Sequence, residues 1–260
     1  MNTKNMNYMF HVEYFEGVEL QKAGTTDENL IKEHNDDIMK FQFQDIEAPY
    51  AQWKHIPGYQ EIVAYTLYPG LLIGSGNPHE IAVKGAAKLG FSFDYVTGLP
   101  YIPGSSLKGM LRAYFPGDTS DQEKNKELEN FISGLLSVIA SDKTVNIHNL
   151  KKDMFEGGDI FLGAFPEPGK AMLEMDYITP HKEFKNPNPI SFLKVKPGVK
   201  FVFSVAFSDY EEDGTVVLTK EQKRKLCEEI LLLMGIGAKT NIGYGRFSKE
   251  MPKESVRVTK

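Results

Sequence analysis

Cysteine is almost absent from this chain of 260 residues, and the single one, Cys227, excludes two classes of protein. One thiol cannot form a disulfide within the chain, so a small disulfide-stabilised scaffold is excluded. It also cannot supply a metal site that needs several cysteines. Because Cys227 lies among Leu226, Ile230 and Leu231 at helical spacing, we predict that it is a small side chain of the core.

The chain also lacks a long hydrophobic run. Its most apolar stretch, Ile230 to Ile236, is far shorter than a membrane span. The N-terminal residues show neither the apolar segment nor the cleavage site of a signal peptide. We therefore expect a cytoplasmic protein with no membrane partner.

Histidine is scarce, with six residues scattered along the chain. None of them is spaced with a second histidine or cysteine as metal ligands are, so we expect no metal ion and no cofactor. His79 and His181 lie in loops, where a lone histidine is more often solvated or hydrogen-bonded than catalytic.

Positive charge is not in excess, since 30 Lys and Arg face 35 Asp and Glu. A net charge of −5 ordinarily argues against a nucleic-acid partner. The charges are unevenly spread, however, because residues 11–50 hold ten acidic and three basic residues, whereas 180–200 and 231–260 are basic. Such a chain can present a locally basic face on an acidic body.

What the chain does contain is an interleaved pattern of strands and helices, in a composition (41% hydrophobic, 25% charged) typical of a folded protein. Strands are predicted at 61–68, 91–96, 158–165, 170–178, 200–207, 215–219 and in the final YGRFSKE segment. We expect 158–165 to pair with 170–178, and 200–207 to form a hairpin with 215–219. Helices are predicted near 26–41, from about Leu107 to Phe115 with Ser105 or Ser106 as N-cap, over 128–139, and over 220–234 with Thr219 as cap.

This order predicts an α+β sandwich of ferredoxin-like (RRM-like) type over residues 61–260. Residues 1–60 are interpreted as an N-terminal extension packed on that core. Residues 117–157 are interpreted as a helical insertion.

The strongest motif is a Gly-rich loop of two Gly-apolar-Gly units, Gly235-Ile-Gly237 and Gly243-Tyr-Gly245, separated by five residues. Without a Cβ, glycine lets backbone N–H groups come close to an anion. Lys239 and Arg246 add positive charge, and Thr240 and Asn241 add hydrogen-bond donors. The alternative is a helix C-cap followed by a turn, which needs only one or two of the four glycines.

A second anion-binding signal is the helix start in IPGSSLKG, where Ser105 and Ser106 follow a glycine. A helix N-terminus attracts anions through its free N–H groups and its dipole. Lys108 and Arg112, four residues apart, extend the positive site. The alternative is ordinary capping beside a solvated basic face.

Together, IPGSSLKGMLR and GIGAKTNIGYGRF resemble the RAMP superfamily of CRISPR-associated proteins, whose Gly-rich loop pattern is met at every glycine. GNPHE, GLPYIPGSSLKG and the segment from ITPHKEF to NPNPISFL are similar to the RAMP subunit that caps the backbone of type III-B (Cmr) complexes near the crRNA 3′ end. The matching blocks run from about residue 61 to residue 247.

The resemblance implies a non-catalytic subunit that binds crRNA and target RNA beside the backbone and head subunits of a Cmr complex. A helix start and a glycine loop would contact phosphates rather than bases, which suits a guide of variable sequence. The implied RNA contacts lie in the helix start, the ITPHKEF segment and the Gly-rich loop: Ser105, Ser106, Lys108, Arg112, His181, Lys182, Gly235, Gly237, Lys239, Thr240, Asn241, Gly243, Tyr244, Gly245 and Arg246.

The same resemblance leaves an enzymatic alternative open. RAMP relatives that process CRISPR repeats cut RNA through its 2′-hydroxyl, often with a histidine as base, and other backbone subunits cut target RNA with an aspartate before the first helix. Here His79, His181, Glu80 and Asp94 are the available residues, and none matches those roles clearly. The second hypothesis is therefore a RAMP endoribonuclease acting on repeat or target RNA.

Overall fold

The computed structural model of this chain describes residues 4–18, 25–74, 78–79, 83–178 and 189–253. Two short 3-10 turns, Glu13–Phe15 and Thr240–Ile242, accompany the regular elements. In chain order those elements are α1 (Met6–His11), α2 (Thr25–Lys40), α3 (Tyr50–Trp53), β1 (Tyr59–Thr66), β2 (Ile102–Pro103), α4 (Gly104–Arg112), α5 (Gln122–Ile139), α6 (Ile147–Glu156), β3 (Ile160–Pro166), β4 (Leu173–Ile178), β5 (Ile190–Val195), β6 (Lys200–Ala206), β7 (Tyr210–Glu212), β8 (Thr215–Leu218), α7 (Lys220–Met234) and β9 (Phe247–Ser248). None of the helices in those described ranges is long and apolar enough to cross a bilayer.

A five-stranded antiparallel sheet forms the centre, in the spatial order β2-β3-β6-β1-β9. β1 pairs with β6 from Tyr59↔Ala206 to Tyr65↔Lys200. Without the edge strand β2, the chain order β1-α4-β3-β6-α7-β9 is the βαββαβ succession of a ferredoxin-like domain. The predicted α+β, ferredoxin-like class is therefore confirmed.

Both predicted strand pairings are wrong. β3 pairs with β6 and β2, whereas β4 pairs with β5 in a separate two-stranded sheet. β6 lies between β1 and β3, and β8 pairs instead with β7. The reason is burial: β6 is buried at every position after Lys200, and a strand that is apolar on both faces belongs at the centre of a covered sheet.

The predictions around the first core helix also need correction. Residues 91–96 form no strand, and only Phe93 bridges to Pro100 there. α4 begins at Gly104, with Pro103 as an N-cap that has no side-chain hydrogen bond, so neither serine is the cap. A Cβ on Gly104 would overlap the Phe161 carbonyl, which shows how closely the start of α4 lies against β3.

The predicted helix over 220–234 is confirmed, including its cap. Thr219 and Gln222 form a capping box, in which each side chain bonds the other residue's backbone N–H. Cys227 is buried in the core as predicted, and burial raises the pKa of its thiol above the usual value.

The N-terminal helices and the 117–157 segment share one hydrophobic core with the sheet. Met6 and Phe10 of α1 belong to the same buried cluster as Ile132 of α5 and Leu150 of α6. α7 contacts both α5 and β1 and so joins the 117–157 segment to the sheet. The division into an extension and an insertion remains a prediction, but both segments contribute to the core.

Candidate nucleic-acid interface

The two segments predicted to bind anions meet across a groove of about 350 Å³. Ser106 and Met110 of α4, together with Tyr114 just after that helix, line one side, and Gly237 and Thr240 line the other. These segments lie more than a hundred residues apart in the sequence, so tertiary structure alone brings them together. The groove is the candidate site.

Three glycines of the loop are required by close backbone crossings. A Cβ on Gly235 would lie 2.5 Å from the Gly245 carbonyl oxygen. A Cβ on Gly237 would lie 2.5 Å from the Leu72 carbonyl oxygen. A Cβ on Gly245 would overlap the Ile236 carbonyl. All three have positive φ, which glycine adopts without strain. The loop is therefore held rigidly against the Leu71–Leu72 segment and the end of α7.

Most of the loop's N–H groups are already used inside the protein, contrary to the expected role of the glycines. Gly235 N–H donates to Leu231 O at the end of α7, so the C-cap alternative applies to this glycine. Gly243 N–H donates to Thr240 O, and Gly245 N–H donates to Gly70 O at 2.8 Å. Within the described ranges the N–H of Gly237 has no backbone acceptor, so this group stays available to a ligand.

Lys239 is the cation of the loop, and it lies between Ala238 and Thr240, two residues that line the groove. Its backbone is left-handed (φ 60°, ψ 35°), a conformation that costs a lysine about 1 kcal/mol. Its ammonium forms no ion pair with the described part of the chain. Asn241, two residues later, is exposed. Strain retained at an unpaired cation is typical of a functional position.

Tyr244, which is predicted to contact RNA, is buried in the structure, with only 6% of it exposed. Its ring packs edge-on against Phe192 of β5, and its hydroxyl donates to Asp176 of β4 at 2.8 Å. Burial alone would raise the pKa of Asp176, but hydrogen bonds from Lys194, Tyr244 and the Tyr177 N–H outweigh burial and hold that pKa below its usual value. Tyr244 therefore anchors the loop to the β4-β5 sheet.

Arg246 likewise acts within the fold. Its guanidinium donates to the Leu233 carbonyl at 2.5 Å, in the last turn of α7. A positive charge at a helix C-terminus satisfies its free carbonyls and favours its dipole. Arg246 thus fixes the exit of α7 rather than pointing into the groove.

The structure does not bring Lys108 and Arg112 into the groove. The Lys108 ammonium lies 6.0 Å from the ring centre of Phe161, on another face of α4 from Ser106. Arg112 forms ion pairs with Asp118 at 3.1 Å and Glu156 at 3.5 Å. Neither of these two basic residues faces the Gly-rich loop. Ser105 and Ser106, in contrast, are exposed at the first turn of α4.

Two residues considered for a nuclease role, Asp94 and His79, lie in the described part of the chain, where Asp94 is hydrogen-bonded and His79 is buried. The Asp94 carboxylate accepts from the N–H and hydroxyl of Thr97, both at 2.7 Å, and so forms a turn. His79 is 8% exposed and packs between Phe10 and Phe15, and burial, followed by the charge of His11, lowers its pKa to about 4. His181, Lys182 and Glu80 lie outside the described residues. The described ranges hold no group of three His, Cys, Asp or Glu side chains that could bind a metal.

Sequence reasoning missed the ion pair that supports the loop. Lys194 Nζ lies 2.7 Å from Asp176 Oδ2 and is almost fully buried. A signal was present, since two acids interrupt the largely apolar strand LEMDYI and a lysine interrupts ISFLKV. Charges within such strands indicate a buried pair, but only the β4-β5 register shows which acids face Lys194.

A family model and two curated relatives match this chain in sequence. The family model of the RAMP superfamily matches residues 63–248. Two curated relatives, both named CRISPR system Cmr subunit Cmr6, come from Saccharolobus solfataricus (26% identity over 167 residues) and Pyrococcus furiosus (27% over 205 residues). The alignments cover 61% and 57% of this chain, but only 48% and 58% of those relatives, so the chain spans about half of their length.

A solved structure supports the same fold. A chain in the cryo-EM structure of the type III-B Cmr-beta complex bound to cognate target RNA superposes with a TM-score of 0.51 at 22% identity. The superposition covers 93% of this chain and 79% of that one. The ferredoxin-like sheet, the Gly-rich loop beside the first core helix and the family match over most of the sequence together show that this chain belongs to the RAMP superfamily.

Proposed function

We propose that this chain is a crRNA-binding structural subunit of a type III-B CRISPR (Cmr) effector complex in antiviral defence. It holds the guide backbone near the 3′ end, and its partners are crRNA, target RNA and the other backbone and head Cmr subunits. Membership of the RAMP superfamily, together with curated relatives named Cmr6, supports this assignment.

The observation that carries the proposal is the groove between Ser106 and the Gly-rich loop. Its lining includes the start of α4 and Gly237 with its available N–H, and the unpaired cation Lys239 lies between the lining residues Ala238 and Thr240. Each of these groups favours a phosphate, and none of them distinguishes one base from another. A groove of this kind holds an RNA backbone independently of its sequence, as a guide-binding subunit must.

The second hypothesis, an endoribonuclease acting on repeat or target RNA, gains no support from the residues that can be placed. Asp94 is engaged in its turn, and His79 is enclosed by aromatic rings. Both residues have structural roles that account for their positions. The binding function is therefore the one that the geometry favours.

The test is crRNA retention by a Cmr complex reconstituted with Lys239→Glu. We expect crRNA affinity to fall roughly tenfold, since a charge-assisted phosphate contact is lost and replaced by repulsion. The slope of log affinity against log salt concentration should become shallower by about one, because one fewer counterion is released. Lys126→Glu, the same charge change on the exposed face of α5, is the matched control and should change neither quantity.

Unchanged crRNA affinity and salt slope with Lys239→Glu would overturn the groove as the binding site. A chain that neither joins the other Cmr subunits nor binds crRNA would overturn the proposed function as a whole. Cleavage of labelled repeat or target RNA by the purified chain, abolished by His79→Ala, would favour the nuclease hypothesis instead.

A further inference from the structure

Tyr68 is a large aromatic side chain that the fold leaves in solvent directly beside the Gly-rich loop. It is 78% exposed. Its hydroxyl makes no hydrogen bond with the described residues, so the fold does not use its polar end. A single exposed aromatic needs no explanation by itself, so its surroundings decide what it can do.

The backbone that carries Tyr68 is fixed at both ends. Leu67 N–H donates to the Arg246 carbonyl at 2.9 Å, and Gly70 N–H closes the turn on Leu67 O at 2.8 Å. Gly245 N–H in turn donates to the Gly70 carbonyl at 2.8 Å. Because backbone bonds tie the turn to the end of the Gly-rich loop on either side of Tyr68, the backbone that carries the ring is held in a defined place relative to that loop.

A second exposed apolar side chain lies next to this turn. Ile242, 56% exposed, immediately precedes Gly243, and the position of a Cβ on Gly243 is 3.5 Å from Pro69 Cδ. Gly243 therefore lies against the proline that follows Tyr68, which places the neighbouring Ile242 beside this turn. We call the two side chains Tyr68 and Ile242 the apolar shelf.

Charge next to the shelf favours an anionic polymer. Lys239 immediately precedes the 3-10 turn that contains Ile242, and its ammonium is unpaired within the described part of the chain. Asp176, the acid that Tyr244 contacts, is neutralised by Lys194 at 2.7 Å. An exposed aromatic ring beside an unpaired cation is the combination with which proteins hold single-stranded nucleic acid.

We propose that Tyr68, with Ile242 at its side, stacks against an unpaired nucleobase of the RNA strand whose phosphates the groove binds. This inference rests on the proposed function and extends it by adding a base contact to the phosphate contacts. Stacking uses the face of a base, which all four bases share, so the contact remains independent of guide sequence.

The experiment compares the full chain with Tyr68→Ala and Tyr68→Phe on two probes, by fluorescence anisotropy at constant salt. One probe is a labelled single-stranded RNA, and the other is an abasic ribose-phosphate chain of the same length and charge. We expect Tyr68→Ala to weaken RNA binding roughly 5- to 100-fold, whereas Tyr68→Phe stays within about twofold of the unmodified chain. On the abasic probe, Tyr68→Ala and the unmodified chain should bind alike.

Two further variants separate the stacking proposal from the proposed function on which it rests. Tyr95→Ala removes a ring that is 84% exposed in the turn beside α1, and it should leave RNA binding unchanged. Lys239→Glu should weaken binding to both probes, since both carry phosphates.

The stacking proposal is overturned if Tyr68→Ala binds RNA like the unmodified chain, or loses equal affinity for the abasic probe. It is also overturned if Tyr68→Phe is as weak as Tyr68→Ala, because the hydroxyl would then carry the contact. In each of these cases weaker binding by Lys239→Glu leaves the proposed function standing. An unmodified chain that binds neither probe overturns both.

Discussion

The Tyr244 hydroxyl donates a 2.8 Å hydrogen bond to Asp176 Oδ2, and this bond joins the Gly-rich loop to strand β4. The same carboxylate oxygen accepts from Lys194 Nζ at 2.7 Å. A residue that lies inside the family's glycine motif is thus part of the scaffold. The loop owes its position to this buried polar group as well as to its glycines.

Tyr244→Phe should lower the free energy of unfolding by about 1–2 kcal/mol, because the ring stays packed while a bond to a charged acceptor is lost. Urea denaturation measures the change. Tyr177→Phe, at the exposed neighbour of Asp176, is the control and should have no effect. Equal stability of the two variants would show that the Tyr244–Asp176 bond contributes nothing.

Lys239→Gly should separate stability from RNA binding. Glycine relieves the left-handed backbone strain, so the free energy of unfolding should stay unchanged or rise by up to about 1 kcal/mol, the gain being reduced by glycine's freedom in the unfolded chain. RNA affinity should fall, since the ammonium is lost. Thermal unfolding and anisotropy measured on the same sample test both halves. A variant that loses stability, or one that keeps full affinity, would contradict the role assigned to Lys239.

Gly245→Ala should destabilise the protein by about 2 kcal/mol or more, because its Cβ would overlap the Ile236 carbonyl at a φ of 69°. Gly134→Ala is the matched control. Gly134 lies in α5, where a Cβ meets nothing within 4 Å, so this change should stabilise the protein by about 1 kcal/mol. Chemical denaturation of both variants should therefore give shifts of opposite sign.

Stability should fall as pH drops from about 6.5 towards 4, in part because of His79. Burial and the neighbouring His11 lower the pKa of His79 to about 4 in the folded state, so the unfolded chain binds its proton first as pH falls. The stability that depends on neutral His79 is complete above pH 6.5 and is lost through this window, by on the order of 2 kcal/mol.

His79→Phe should flatten that part of the pH–stability profile, since a phenyl ring fills the aromatic pocket and does not titrate. A profile with the same slope after His79→Phe would assign the pH dependence to other groups.

Local spacing predicted the parts of the protein that depend on neighbours in sequence. Helical periodicity located α2, α4, α5 and α7, and the Thr219 cap was placed correctly because a capping box involves residues three apart. The glycine pattern identified the loop and, through resemblance, the family. Strand pairing failed where it assumed that neighbours in sequence pair, since β3, β6 and β1 are joined by their burial and not by a short turn.

Some features of the candidate site likewise follow from local sequence, and others from tertiary packing. By itself, the sequence determined the ferredoxin-like class, the Gly-rich loop and the polar start of α4, since these depend on residue type and local spacing. Only the tertiary structure decided that Lys239 stays unpaired beside the groove, that Arg246 caps α7 and that Tyr244 is buried. It also turned Lys108 away from Ser106, because residues two apart on a helix point to different faces. Which cation reaches a ligand depends on the packing of the whole chain, and that packing cannot be read from a motif.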